Sequence, residues 1–277
     1  MRAYAIVIYL FLYAPIALIV LFSFNSGRHA SEFRGFSIEW YGKAFANRWV
    51  VEALTTSLIV AGTTAVLATV MGTAAALMLQ RVKGTLRTIF DGLTFVAIMI
   101  PGIVLGISTL VALVTLFKVV NPVIDTLWPA VLGASPKLHM GYATVIAAHT
   151  VFTMALVIVI VRARIQGMDR TLIEASADLY ATPWGTFRQV TLPLLFPAVA
   201  AGFLLSFTFS FDDFIIAFFV AGSNTTLPIY VFSSIRRGIT PEVNAIGSSV
   251  LALSLTLMVL AQALLRARTA KTKNGQG

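Results

Sequence analysis

Apolar residues run through this chain in long blocks rather than in alternation. Six blocks, at 4–24, 54–79, 89–117, 142–161, 194–220 and 246–265, each match the roughly 20 residues that a helix needs to cross a bilayer. Only helices and closed barrels satisfy their backbone groups in lipid, and blocks this long are not barrel strands. The pattern therefore predicts an all-α membrane protein with six transmembrane helices. The first block holds Pro15 and has no small-x-small cleavage signal, so it reads as a retained span.

Between the fourth and fifth blocks lies a polar island, 171–193, that reads as two short helices on the membrane surface. Thr171 and Glu174 have the spacing of a capping box, in which hydroxyl and carboxylate each serve an orphan amide at a helix start. Thr182 and Pro183 then restart a helix, with Thr as N-cap and Pro at the first helical position. A plain connection would be shorter and less ordered.

Composition agrees with the block pattern. Hydrophobic residues make up 58% of the 277 residues and charged residues 11%, too apolar a balance for a water-soluble domain. The net charge of +9 sits in short loops and at the ends, as membrane topology requires, so nucleic acid is excluded as a partner and membrane lipid is the expected surroundings. With the N-terminus inside, Lys and Arg number twelve on the cytoplasmic side against eight outside. That count puts both termini and the 171–193 island in the cytoplasm, and makes 266–277 a flexible basic tail that anchors on the inner face. There is no Cys, and His29, His139 and His149 lack the spacing of metal ligands, so no metal site is expected. Neither a phosphate-binding GxxxxGK[ST] loop nor a catalytic constellation occurs, so the chain is not expected to be an enzyme.

Candidate chemistry is concentrated inside the membrane blocks. Asp212 and Asp213 lie well within the fifth block, where an unpartnered charge costs about 2.5–3.5 kcal/mol. Adjacent helical positions differ by about 100°, so one carboxylate can line a pathway while the other pairs with a neighbouring element. Ser206 and Ser210, one turn apart, extend the same polar stripe. Pro101 and Gly102, near the middle of the third block, form either a hinge that frees backbone carbonyls or an ordinary packing kink. Trp40 and Tyr41 in the first outer loop are either interfacial anchors or aromatic faces for a cationic solute or a docking protein.

The 171–193 island also resembles the EAA loop of ABC importer permeases, with Glu174, Ala175, Ser176, Leu192 and Pro193 on the matching positions. Ser23 to Asn25, the GFSIEWY run from Gly35 to Tyr41 and GITPEVNA from Gly238 to Ala245 resemble the second permease subunit of spermidine/putrescine importers. The resemblance implies a type I, MetI-like permease forming one domain over 1–277, in a bacterial inner membrane. It implies a coupling loop in which Glu174, Ala175, Ser176, Asp178, Tyr180, Pro183 and Gly185 meet a separate ATPase dimer. It also implies a related second permease subunit and an extracytoplasmic substrate-binding protein. ATP and magnesium would then belong to the ATPase, and this chain would bind no cofactor. Polyamines would be moved inward by alternating access; another small amine or amino-acid-like solute is the alternative. From a different class, an ion-coupled secondary transporter would also explain intramembrane carboxylates.

The sequence departs from the family pattern twice. The loop glycine of the family falls on Tyr180, which a left-handed turn would strain, so Gly185 is expected to supply the turn instead. The acidic residue that follows the third-block proline in polyamine permeases is Gly102 here.

Overall fold

The computed structural model describes residues 2–27, 32–129, 133–169, 171–238 and 240–274, and their side chains except at 2, 3, 257, 258 and beyond 259. The chain forms twelve α-helices among these residues: α1 (Arg2–Ser23), α2 (Glu39–Ala46), α3 (Arg48–Met78), α4 (Thr85–Met99), α5 (Gly102–Leu127), α6 (Tyr142–Gln166), α7 (Thr171–Asp178), α8 (Pro183–Thr186), α9 (Leu192–Asp212), α10 (Ile215–Val220), α11 (Leu227–Arg237) and α12 (Pro241–Asn274). A π-helical turn, Phe187–Thr191, joins α8 to α9. Five stretches are long and apolar enough to cross a membrane among the described residues: Tyr4–Ser23, Arg48–Met78, Gly102–Leu127, Tyr142–Gln166 and Pro183–Asp212. The sixth expected block, 246–265, lies in α12, where most side chains from 257 onward fall outside the described residues. Side chains of the 266–277 tail are outside them as well.

Two expected spans are corrected. The block at 89–117 is not one kinked helix: α4 ends at Met99, Ile100 and Pro101 are extended, and the span is α5, which runs on to Leu127. Proline explains the separation, because it lacks an amide and pushes the residue before it out of the helical region. The block at 194–220 is also divided. Here α9 stops at Asp212, Asp213 turns to ψ 118°, and α10 is a separate six-residue helix.

The chain splits into two compact units, Met1–Leu54 with Leu227–Gly277, and Thr55–Thr226. In the first, α1 runs beside α12, where Gly247 lies against Ile19. Asn25 organises the segment after α1: its side-chain oxygen accepts from the amides of Gly27 (3.1 Å) and Arg34 (2.9 Å). Its amide nitrogen donates to Glu32 O at 2.7 Å. Asn47, between α2 and α3, donates to Glu242 Oε1 (2.8 Å) and Tyr230 Oη (3.2 Å) and so ties α2 to α12 and α11.

The second unit is built around α6. Ala68 and Ala76 of α3, Val157 and Val161 of α6 and Leu195 of α9 form its buried core. Small residues bring the backbones together: a Cβ on Gly72 would lie 2.8 Å from Val157 Cβ, and one on Gly202 would lie 3.3 Å from Val157 Cγ1. This is how membrane helices gain packing when lipid supplies no hydrophobic drive between them. At one end of α6, Arg162 pairs with Asp91 of α4, and Arg87 lies 3.8 Å from the same carboxylate.

Candidate functional site

The two interrupted helices of the second unit adjoin. Gly102 and Gly106, in the first turns of α5, lie against α10: a Cβ on Gly106 would meet Phe219 Cδ2 at 2.7 Å and Ile215 O at 3.4 Å. Glycine at 106 is therefore required by close approach, and it holds the start of α5 beside α10.

The second interruption has no Pro or Gly to explain it, since residues 211–215 read Phe-Asp-Asp-Phe-Ile. Side chains make it instead. Asp213 Oδ2 accepts from the amides of Ile216 (2.9 Å) and Ala217 (3.1 Å), taking up two of the orphan donors at the start of α10. The same oxygen lies 3.2 Å from His149 Nε2 of α6, an ion-pair distance at an angle that is not a hydrogen bond's. His149 Nδ1 lies 2.8 Å from Ser210 Oγ, on the last turn of α9. The far end of α10 is tied to α6 as well, through Thr144 Oγ1 and Val220 O at 2.6 Å. Beyond it Gly222, at φ +61°, passes so close to Met140 that a Cβ would sit 2.5 Å from its carbonyl oxygen.

This arrangement separates the two carboxylates. Asp213 is half-buried and committed to α10 and His149, whereas Asp212, one residue earlier, is exposed. Ser206 and Ser210, four residues apart, share one side of α9, and Ser210 meets His149 of α6 there. Ser206 is fully buried, and its hydroxyl has no hydrogen-bond partner among the described residues. Pro101 and Gly102 belong to the same unit at the start of α5.

Trp40 and Tyr41 lie on α2, in the first unit. Trp40 Nε1 donates to Gly27 O at 3.2 Å, and Lys43 Nζ stands 4.5 Å from its ring centroid, so a lysine of the chain itself occupies the aromatic face. Tyr41 Oη lies 2.7 Å from Ser23 Oγ.

In the 171–193 loop the helix restart takes the expected form. Thr182 Oγ1 accepts from Gly185 N at 3.1 Å, with Pro183 at the first helical position. The cap of α7 differs from the expected capping box. Asp169 Oδ1 accepts from Thr171 N at 3.0 Å, so Thr171 is already helical. Those hydrogen bonds hold the Asp169 carboxyl below its ordinary range.

The turn between α7 and α8 is also corrected. Tyr180 itself adopts φ 59°, alone among the described non-glycine residues, and Gly185 does not supply the turn. Ala181 N donates to Ser176 O (3.1 Å) and Tyr180 N to Ala177 O (2.9 Å), a Schellman ending with tyrosine at the left-handed position. The conformation costs about 1–2 kcal/mol for a residue with a Cβ. Ser176 Oγ reaches Thr186 Oγ1 at 2.9 Å and braces the two short helices. Glu174, Ala175 and Asp178 are exposed, as are Leu179, Tyr180 and Trp184, three large side chains at the loop tip.

His149 is the member of the site that sequence reasoning set aside. The available signal was an ionisable side chain inside an apolar block, which is costly enough to ask for a partner.

Several helices long and apolar enough to cross a membrane, with an ordered polar loop between α6 and α9, are the features of a multi-pass membrane subunit. The chain belongs to the family of binding-protein-dependent transport system inner membrane components, whose pattern matches residues 68–273. It is 36% identical over 266 residues to the spermidine/putrescine transport system permease protein PotC of Haemophilus influenzae, covering 96% of both chains. It is 38% identical over 245 residues to the putrescine transport system permease protein PotI of Escherichia coli, covering 87% of this chain and 82% of that one. A subunit of a bacterial ABC transporter that imports alginate has the same fold, with a TM-score of 0.71 at 16% identity over 95% of this chain and 92% of that one.

Proposed function

We propose that this chain is one permease subunit of an ATP-driven importer for polyamines of the spermidine/putrescine class. The observation that carries the reading is 36% identity to a spermidine/putrescine permease across 96% of both chains. The exposed carboxylate of Asp212 suits a polycationic solute, because it stands at a helix interruption without a partner cation of its own among the described residues. Both termini face the cytoplasm of a bacterial cell, as the Lys and Arg bias requires. The 171–193 loop then faces an ATPase dimer, which binds ATP and magnesium, and presents Leu179, Tyr180 and Trp184 to it. A second permease subunit completes the pathway, and an extracytoplasmic binding protein delivers the solute. Arg236 and Arg237, at the end of α11, suit acidic residues on that protein.

Gly102 favours a second reading, a smaller amine or amino-acid-like solute, because the start of α5 carries no carboxylate. The test is uptake of labelled spermidine and putrescine into vesicles holding this chain with its co-purified subunits and binding protein, with and without ATP. ATP-dependent uptake of either polyamine is expected. Co-purifying ATPase activity without polyamine uptake would keep the importer and remove the substrate. Uptake driven by an ion gradient alone would remove both.

A further inference from the structure

His149 has no role in the proposed passage of substrate, yet its ring is 2% exposed and touches both sides of the α9–α10 interruption. Ser210, on the last turn of α9, lies 2.8 Å from Nδ1, and Asp213, which caps α10, lies 3.2 Å from Nε2. Nδ1 is within hydrogen-bond reach of the Ser210 hydroxyl, and Nε2 stands at ion-pair distance from the carboxylate without a hydrogen bond to it. The order Ser, His, Asp is that of a hydrolytic triad, but Ser210 is only 5% exposed and has no opening to a substrate. The cluster's chemistry is structural: one rigid ring on α6 spans the gap between two helix ends.

The consequence falls on the neighbouring residue. The interruption contains no Pro or Gly; it is held by the local cap of Asp213 on the Ile216 and Ala217 amides together with the tertiary contacts of His149 to Ser210 and Asp213. With Asp213 drawn to α10 and to His149, the chain turns at ψ 118°, and Asp212 is left exposed at the end of α9. We infer that His149 is a positioning residue: bridging Ser210 and Asp213, it holds the α9–α10 interruption open and so presents Asp212 to the pathway. The inference rests on the transport reading only for the task it gives Asp212.

The chain has no cysteine of its own, which allows a direct test. Asp212→Cys is placed alone in this chain, the full transporter is assembled in proteoliposomes, and the rate of modification by a charged, water-soluble thiol reagent is measured. The measurement is repeated with His149→Phe, which keeps the ring volume without polar atoms, and with His149→Gln, which restores one donor and one acceptor. Modification is expected to slow at least about fivefold with His149→Phe, equivalent to roughly 1 kcal/mol in the population of the open arrangement. His149→Gln should recover most of that loss. Equal rates in all three chains, or no modification when His149 is present, overturn the inference. So does a fall in melting temperature for His149→Phe without any change in labelling, which would make the ring ordinary packing. Because labelling needs no substrate, His149-dependent labelling in a transporter that moves no polyamine supports the positioning role while removing the substrate.

Discussion

The two helix interruptions of the second unit differ in where their cause resides. Between α4 and α5 the cause is local: Pro101 supplies no amide, excludes Ile100 from the helical region, and sits at φ −55°, an angle its ring prefers. Between α9 and α10 there is no Pro or Gly, and a local cap, Asp213 on the Ile216 and Ala217 amides, is combined with tertiary contacts to α6. Asp213 caps α10, His149 meets Asp213 and Ser210, and Thr144 holds the other end of α10. The first interruption is set by the backbone chemistry of one residue, whereas the second joins a side-chain cap to contacts with α6. An interruption held by side chains can be remade during a transport cycle, and it is the one that carries the free carboxylate.

The contrast can be broken most strongly at Asp213. Asp213→Ala removes the acceptor for two amides and leaves His149 Nε2 facing nothing. A loss of about 2–4 kcal/mol is expected, from a lost cap and buried donors left unpaired, seen as a lower melting temperature of the assembled transporter. Gly106→Val comes next, because its side chain would enter the space of Phe219 and Ile215 where the two interrupted helices adjoin. Overpacking there should cost about 1–3 kcal/mol, read by the same thermal measurement. In the loop between α7 and α8, Tyr180→Gly relieves the left-handed tyrosine and should stabilise the α7 ending by about 1 kcal/mol, measurable as roughly fivefold slower hydrogen exchange at the Ala181 amide. Pro101→Ala is expected to cost least, about 0.4–1 kcal/mol through the unfolded chain, since the proline occupies a compatible angle. A larger loss for Pro101→Ala than for Asp213→Ala would reverse the comparison.

The same division separates what could be read in the sequence from what could not. Hydropathy located the spans whose ends are set by polar residues: Tyr4–Ser23 and Tyr142–Gln166 fall within a few residues of the expected blocks. It missed residues 48–53 at the start of α3, because Arg48 and Glu52 interrupt the apolar pattern there. Thr182 and Pro183 were legible because a cap and a proline act on their nearest neighbours. Asp169 was missed as the α7 cap because Thr171 and Glu174 offered a second pattern two residues later. Tyr180 was misread because a left-handed residue with a Cβ is strained in isolation, and the Schellman bonds that hold it are visible only once α7 has formed. The intramembrane acids announced themselves by their cost, but only the fold distinguishes them: Asp213 has partners on α6 and α10, and Asp212 is exposed.

That distinction is the central claim, and it is tested by comparing Asp212→Asn with Asp213→Asn in ATP-dependent uptake of labelled spermidine, alongside melting temperatures. Asparagine at 213 keeps an oxygen for the Ile216 and Ala217 amides, so uptake should stay within about threefold of the unsubstituted chain while the melting temperature falls. Asparagine at 212 removes the charge offered to the polycation, so uptake at low spermidine should drop by about tenfold or more, with a raised KM and an unchanged melting temperature. The opposite pattern, with uptake lost at 213 and retained at 212, would contradict the assignment of the exposed carboxylate to the pathway.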